Sequence, residues 1–164
     1  MRRGFSLVEV VIAVGIVATA IVSALALLPS LLQQSTETAD LYTAQRLSGS
    51  VRTALIEQSR AHGFVAFGAV IPEMRSPLTE GWALVGTSDG MRLAAPASGM
   101  IAQDKQHFLI EAWRFPDGPL RFDSNATVLP LHIRVTWPYH VRGVEEATSL
   151  SHRSQFSFNV ALDR

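Results

Sequence analysis

The chain has 164 residues, with 14 basic and 14 acidic side chains and a formal net charge of zero. That length suits one modest domain beside an anchor, and the charge balance offers neither a basic nucleic-acid face nor an acidic solvating tail. Cysteine is absent, which excludes disulfides, cysteine-ligated metals, thioether haem attachment and thiol catalysis.

At the N-terminus, Arg2 and Arg3 precede Gly4-Phe5-Ser6-Leu7-Val8-Glu9, and no charged residue follows from Val10 to Leu32. As a helix that run measures roughly 35 Å, enough to cross a hydrocarbon core of about 30 Å. Gly15, Thr19, Ser23 and Pro29 interrupt it, and membrane helices tolerate such residues. Arg2 and Arg3 predict a cytoplasmic N-terminus with the C-terminal bulk on the other side. A secretory signal peptide is the first competitor, but its apolar core is shorter and ends in a small-residue cleavage site. Here Leu27-Leu28 follow Ala24 and Ala26, and the apolar run continues. A plain signal anchor accounts for the span but not for Glu9, whose charge costs roughly 2.5–3.5 kcal/mol at mid-bilayer on insertion scales. Two readings of Glu9 stand: a carboxylate near enough to the interface to reach water, or one that meets a cationic partner in the membrane.

Beyond Gln33-Gln34 the residues turn polar, yet Leu41, Ala44, Leu47 or Ser48, Val51 and Leu55 recur at helical spacing. This predicts an amphipathic continuation of the same helix, from about Phe5 to about Ala61, with Gly63 as its stop signal. Residues 63–76 are dotted with glycine and predict an irregular connection. Trp82–Val85 and Met91–Ala94 flank Asp89-Gly90, a hairpin signal. His107–Phe115 predicts a third strand, apolar on both faces except at Glu111 and Arg114. In Leu129–Trp137, Leu129, Leu131, Ile133, Val135 and Trp137 alternate with His132, Arg134 and Thr136. In His152–Leu162, Phe156, Phe158, Val160 and Leu162 alternate with Gln155, Ser157 and Asn159. Such alternation belongs to antiparallel sheets with one buried face. The predicted fold class is therefore α+β: a long N-terminal helix, membrane-spanning in its first half, packed through its second half on a small antiparallel sheet.

Gly4-Phe5-Ser6-Leu7-Val8-Glu9 and the apolar run behind it resemble the N-terminus of type IV prepilins and type II secretion pseudopilins. The likeness is tight from Gly4 to about Leu32 and loose beyond. Ile133-Arg-Val-Thr-Trp137 and the final strand are similar to the ends of minor pseudopilins and minor pilins. The resemblance implies a pilin-like fold with a leader at 1–4, a transmembrane or filament-core helix at 5–32, an amphipathic half-helix at 33–62 and a β-rich head at 63–164. It implies cleavage by a prepilin peptidase between Gly4 and Phe5, followed by N-methylation of Phe5. It also implies that Glu9 pairs with the Phe5 amine of a neighbouring subunit during assembly. The implied partners are that peptidase, other pilins or pseudopilins, and an inner-membrane assembly platform; no cofactor and no nucleic acid are expected. The implied location is the bacterial inner membrane with the head periplasmic, then an extracytoplasmic filament.

Rival chemistry is weak. His62, His107, His132, His140 and His152 show no metal-ligand spacing, though His132 and His140 could meet across a turn. No nucleophile elbow or phosphate loop occurs. Asp117–Asn125 holds oxygen ligands that could suit calcium, but Arg121 lies inside it and the spacing is not that of an EF-hand, so a turn is expected. Trp82, Trp113 and Trp137 could mark a cleft; the alternation assigns Trp137 to the core or sheet surface. The expected function is that of a non-enzymatic minor pseudopilin or pilin-like filament subunit. The alternatives are a ligand-binding pilin for DNA uptake or adhesion, and a membrane-anchored protein without a filament role. Neutral charge disfavours DNA, whose affinity rests on phosphate contacts.

Overall fold

A computed structural model describes residues 6–73, 81–139 and 153–164. The elements are α1 (Leu7–His62), α2 (Phe64–Val70), β1 (Trp82–Gly86), β2 (Leu93–Ala94), β3 (Phe108–Arg114), β4 (Val128–Trp137) and β5 (Ser154–Asp163). The chain divides into two compact units, Met1–Ala39 and Asp40–Arg164, and α1 contributes to both.

In the first unit every described side chain is exposed, including the run of Val, Ile and Leu from Leu7 to Leu32. Such a surface gains free energy on contact with apolar surroundings. By length and composition α1 can cross a membrane. The three hydroxyls of the uncharged run bond within the helix. Thr19 Oγ1 donates to the carbonyls of Gly15 at 3.0 Å and Ile16 at 2.9 Å, Ser23 Oγ to Thr19 O at 2.9 Å, and Ser30 Oγ to Leu27 O at 2.8 Å. A hydroxyl bonded in this way can enter lipid without an orphaned donor. Pro29 lies inside α1.

In the second unit the later turns of α1 bury Ala44, Leu47, Val51, Leu55 and Ser59. Their spacing of three and four puts them on one helical face. The predicted face is thus confirmed with two refinements: Leu47 rather than Ser48 is buried, and Leu41 stays 38% exposed. Gly63, at φ 83°, ends the helix in a conformation that costs an L side chain strain.

The expected loop after Gly63 is in part a helix. α2 covers Phe64–Val70 and buries Phe67 and Gly68. A Cβ on Gly68 would lie 2.6 Å from Phe122 Cζ, so this glycine lets the phenylalanine ring lie against the helix backbone. The sequence predicts a loop because glycine weakens helix propensity; the apolar contacts override it. The stretch from 74 to 76 lies outside the described residues.

The five strands form one antiparallel sheet in the order β2-β1-β3-β4-β5. β1 and β2 make the predicted hairpin, pairing Val85 with Ala94 across the turn. The helix-side face of the sheet carries Leu84, Phe108, Ile110, Ala112, Leu129, Leu131, Ile133, Val135, Trp137, Val160 and Leu162, and these form one core with the buried face of α1. The long helix therefore packs against a small antiparallel sheet, as the α+β reading expects. A second cluster of Val85, Ala94, Ile101, Leu109 and Tyr139 covers part of the opposite face. It explains why β3 is apolar on both sides: a central strand under two layers has no wet face.

Candidate functional site

At the start of α1, Glu9 Oε2 accepts the backbone N–H of Ser6 at 3.0 Å. Ser6-Leu7-Val8-Glu9 thus has the spacing of a capping box, in which the third helical residue reaches back to the residue before the helix. A carboxylate there satisfies a first-turn donor and complements the positive end of the helix dipole. The Ser-x-x-Glu spacing is the sequence signal for this local partner of Glu9. Glu9 is exposed, among Leu7, Val8, Val10 and Val11. Gly4 and Phe5, the residues implied for cleavage and methylation, lie outside the described residues.

In the second unit, the β1–β2 turn and the segment before β3 line an open cleft of about 790 Å³. Asp89, Asp104, Lys105, His107 and Pro138 are among its residues. Asp89 Oδ1 accepts from Thr87 Oγ1 and from the backbone N–H of Met91. These bonds, the Thr87 hydroxyl first, hold its carboxyl below the usual value of 3.8. Asp89 thereby shapes the turn, and Arg46 Nη2 of α1 donates to its carbonyl at 3.2 Å. His107 Nε2 lies 3.1 Å from Asp40 Oδ2. The contact is close but is not an aligned hydrogen bond.

On the outer face of the sheet, Trp113 sits opposite His132, and His132 opposite Asn159. His132 Nδ1 is 2.8 Å from Asn159 Oδ1, and the Arg134 guanidinium stands 5.0 Å above the Trp113 ring. This is a cross-strand ladder that stabilises the pairing. Trp137 is core, 4% exposed. Trp82 Nε1 donates to Gln58 Oε1 of α1 at 2.7 Å, which ties the hairpin to the helix. The three tryptophans therefore line no common cleft.

His62 Nδ1 is 3.0 Å from its own helix's Gln58 carbonyl. His140 and His152 lie outside the described residues. Asp117–Asn125 contains a short 3₁₀ turn, Gly118–Leu120, followed by a turn in which Asp123 Oδ1 accepts the Asn125 N–H at 3.0 Å. Among the described residues no three His, Asp or Glu side chains are grouped to hold a metal ion.

A second groove, of about 380 Å³, lies between the end of α1 and the end of β5. Arg52, Ile56, Ser59 and Arg60 form the helix wall, Gly63 and Phe64 the floor of the bend, and 161–164 the strand wall. No local sequence pattern marks it, because its two walls are about a hundred positions apart in the chain.

No family model, curated protein or solved structure matches the chain.

Proposed function

We propose that the chain is a pilin-like structural subunit, anchored by α1 and processed at its N-terminus before assembly into a filament. The observation that carries this reading is Gly4-Phe5-Ser6-Leu7-Val8-Glu9 set directly before an uncharged run to Leu32. A charged residue kept at the head of a membrane-length apolar helix calls for a partner. Cleavage after Gly4 would free the Phe5 amine, a cation four residues from Glu9. Pairing between neighbouring subunits would neutralise both charges and set the axial stagger of the helices. The exposed apolar surface of the first unit would lie in lipid before assembly and against like helices afterwards. The head would face outward, on the filament surface or at its tip, and the work would be mechanical rather than catalytic.

The test is mass spectrometry of the membrane-bound protein from cells with an active prepilin peptidase. The expected N-terminus is N-methylated Phe5. An intact Met1 start in those cells would sink the reading.

A further inference from the structure

Among the described residues, β5 closes one side of the sheet and pairs with β4 alone. Among the described residues, no backbone hydrogen bond from outside that pair reaches it. Exposed edges are normally shortened, bulged, or guarded by proline and lysine, because they template further pairing. The opposite edge obeys this rule, since β2 has two residues. β5 does not. It has ten residues, its register with β4 runs unbroken from Ser154 to Asp163, and from Gln155 to Leu162 it holds neither proline nor charge.

At the far end of this edge lies the groove between β5 and α1. Arg52, Ile56 and Arg60 recur every four residues and so share one face of α1. Arg52, Arg60 and Arg164 are exposed, Ile56 and Phe64 half-buried. One side-chain carboxylate, Asp163, shares the groove with the three guanidiniums. Among the described residues none of the three arginines forms an ion pair. The groove therefore joins an apolar floor to an excess of positive charge, beside an unguarded strand edge.

We propose that β5 and this groove dock an extended acidic segment of a partner protein, which adds to the sheet edge and sets a carboxylate among Arg52, Arg60 and Arg164. Main-chain bonds to β5 would supply affinity, and the groove would select for acid at one end of the strand. A second copy of the chain, paired β5 to β5, does not supply that acid. From Ala147 to Leu162 the sequence has no Asp or Glu, so an antiparallel self-pair that sets Ser154 opposite Asp163 brings no carboxylate to the arginines. The docking surface belongs to the second unit and stands whether or not the N-terminus is processed.

The experiment uses the full chain in detergent micelles. The probe is a fluorescein-labelled peptide of alternating valine and threonine ending in two glutamates, with a twin ending in two lysines. Anisotropy should show the lysine twin binding about tenfold more weakly, the loss expected for charge-assisted contacts. Hydrogen exchange should show added protection at 154–163 with the acidic peptide. The double variant Arg52→Glu/Arg60→Glu should reverse the preference between the twins, which a merely unfolded head could not do. Equal binding of both peptides, or no added protection at 154–163, would overturn the proposal. So would protection of β5 that grows with protein concentration in the absence of peptide, which would assign the edge to a second copy.

Discussion

The carboxylate of Glu9 holds the backbone N–H of Ser6 at 3.0 Å, closing the first turn of α1 upon itself. This gives Glu9 two separable roles, a neutralisable charge and a hydrogen-bond acceptor. Glu9→Gln keeps an acceptor oxygen at the same reach and removes the charge. Glu9→Ala removes both, and loss of a first-turn cap costs on the order of 1 kcal/mol. If pairing with an amine drives assembly, both variants should reach the membrane and both should fail to co-purify with neighbouring subunits after cross-linking. Wild-type incorporation of the Gln variant would reduce Glu9 to a cap.

The buried face of α1 should dominate the stability of the second unit. Leu55 is fully buried, whereas Leu41, about four turns earlier on the same side of α1, is 38% exposed. Leu55→Ala removes apolar contact and leaves a cavity, which costs about 2–5 kcal/mol in comparable cores. Leu41→Ala should cost under about 1 kcal/mol, in keeping with a surface position. Denaturant titration followed by tryptophan fluorescence in micelles checks the pair, since Trp137 and Trp82 both report on this packing. Equal losses would show that α1 is not the principal wall of the core.

These same residues show what the sequence could reveal. β4 and β5 were legible because alternation marks the pleat, and Asp89-Gly90 because its turn chemistry is local. α2 was not legible, because Gly63 and Gly68 look like loop residues until the Phe122 ring supplies the contact. The second apolar cluster showed only as a strand too apolar for one wet face, with Glu111 as an exception that is in fact 5% exposed. The arginine groove had no signature at all. In the sequence Arg52 and Arg60 are two charges on a long helix, and only the groove brings the end of β5 beside them. Long-range adjacency of this kind depends on which strand takes the edge, and alternation does not encode it.

Two glycines with the same backbone angle separate strain from crowding. Gly90 and Gly99 both sit at φ 67°. A Cβ at Gly99 meets nothing within 4 Å, whereas one at Gly90 would stand 2.9 Å from Thr43 Cγ2 and 3.3 Å from Leu47 Cδ2. Gly99→Ala should therefore cost the left-handed strain alone, about 1–2 kcal/mol. Gly90→Ala should cost more, because the hairpin turn must also move off α1. Thermal unfolding of the two variants checks the order. Equal melting temperatures would show that the turn does not press on the helix.

Asp89 gives the turn a defined pH dependence. The Thr87 hydroxyl and the Met91 N–H favour its ionised form and depress its pKa below 3.8 in the folded chain. A depressed carboxylate stabilises the fold at pH values above its unfolded pKa. That contribution fades as pH falls through the folded value, because the unfolded chain takes up the proton first. Asp89→Asn retains an acceptor but has no charge to titrate. The variant should thus be less stable than wild type by a constant margin above about pH 5, and the margin should shrink below about pH 4. The side chain is open to solvent, so the margin should be small. Denaturation midpoints of both proteins across that range decide the matter. A margin that does not change with pH would remove the charge from the account and leave the turn held by neutral hydrogen bonds.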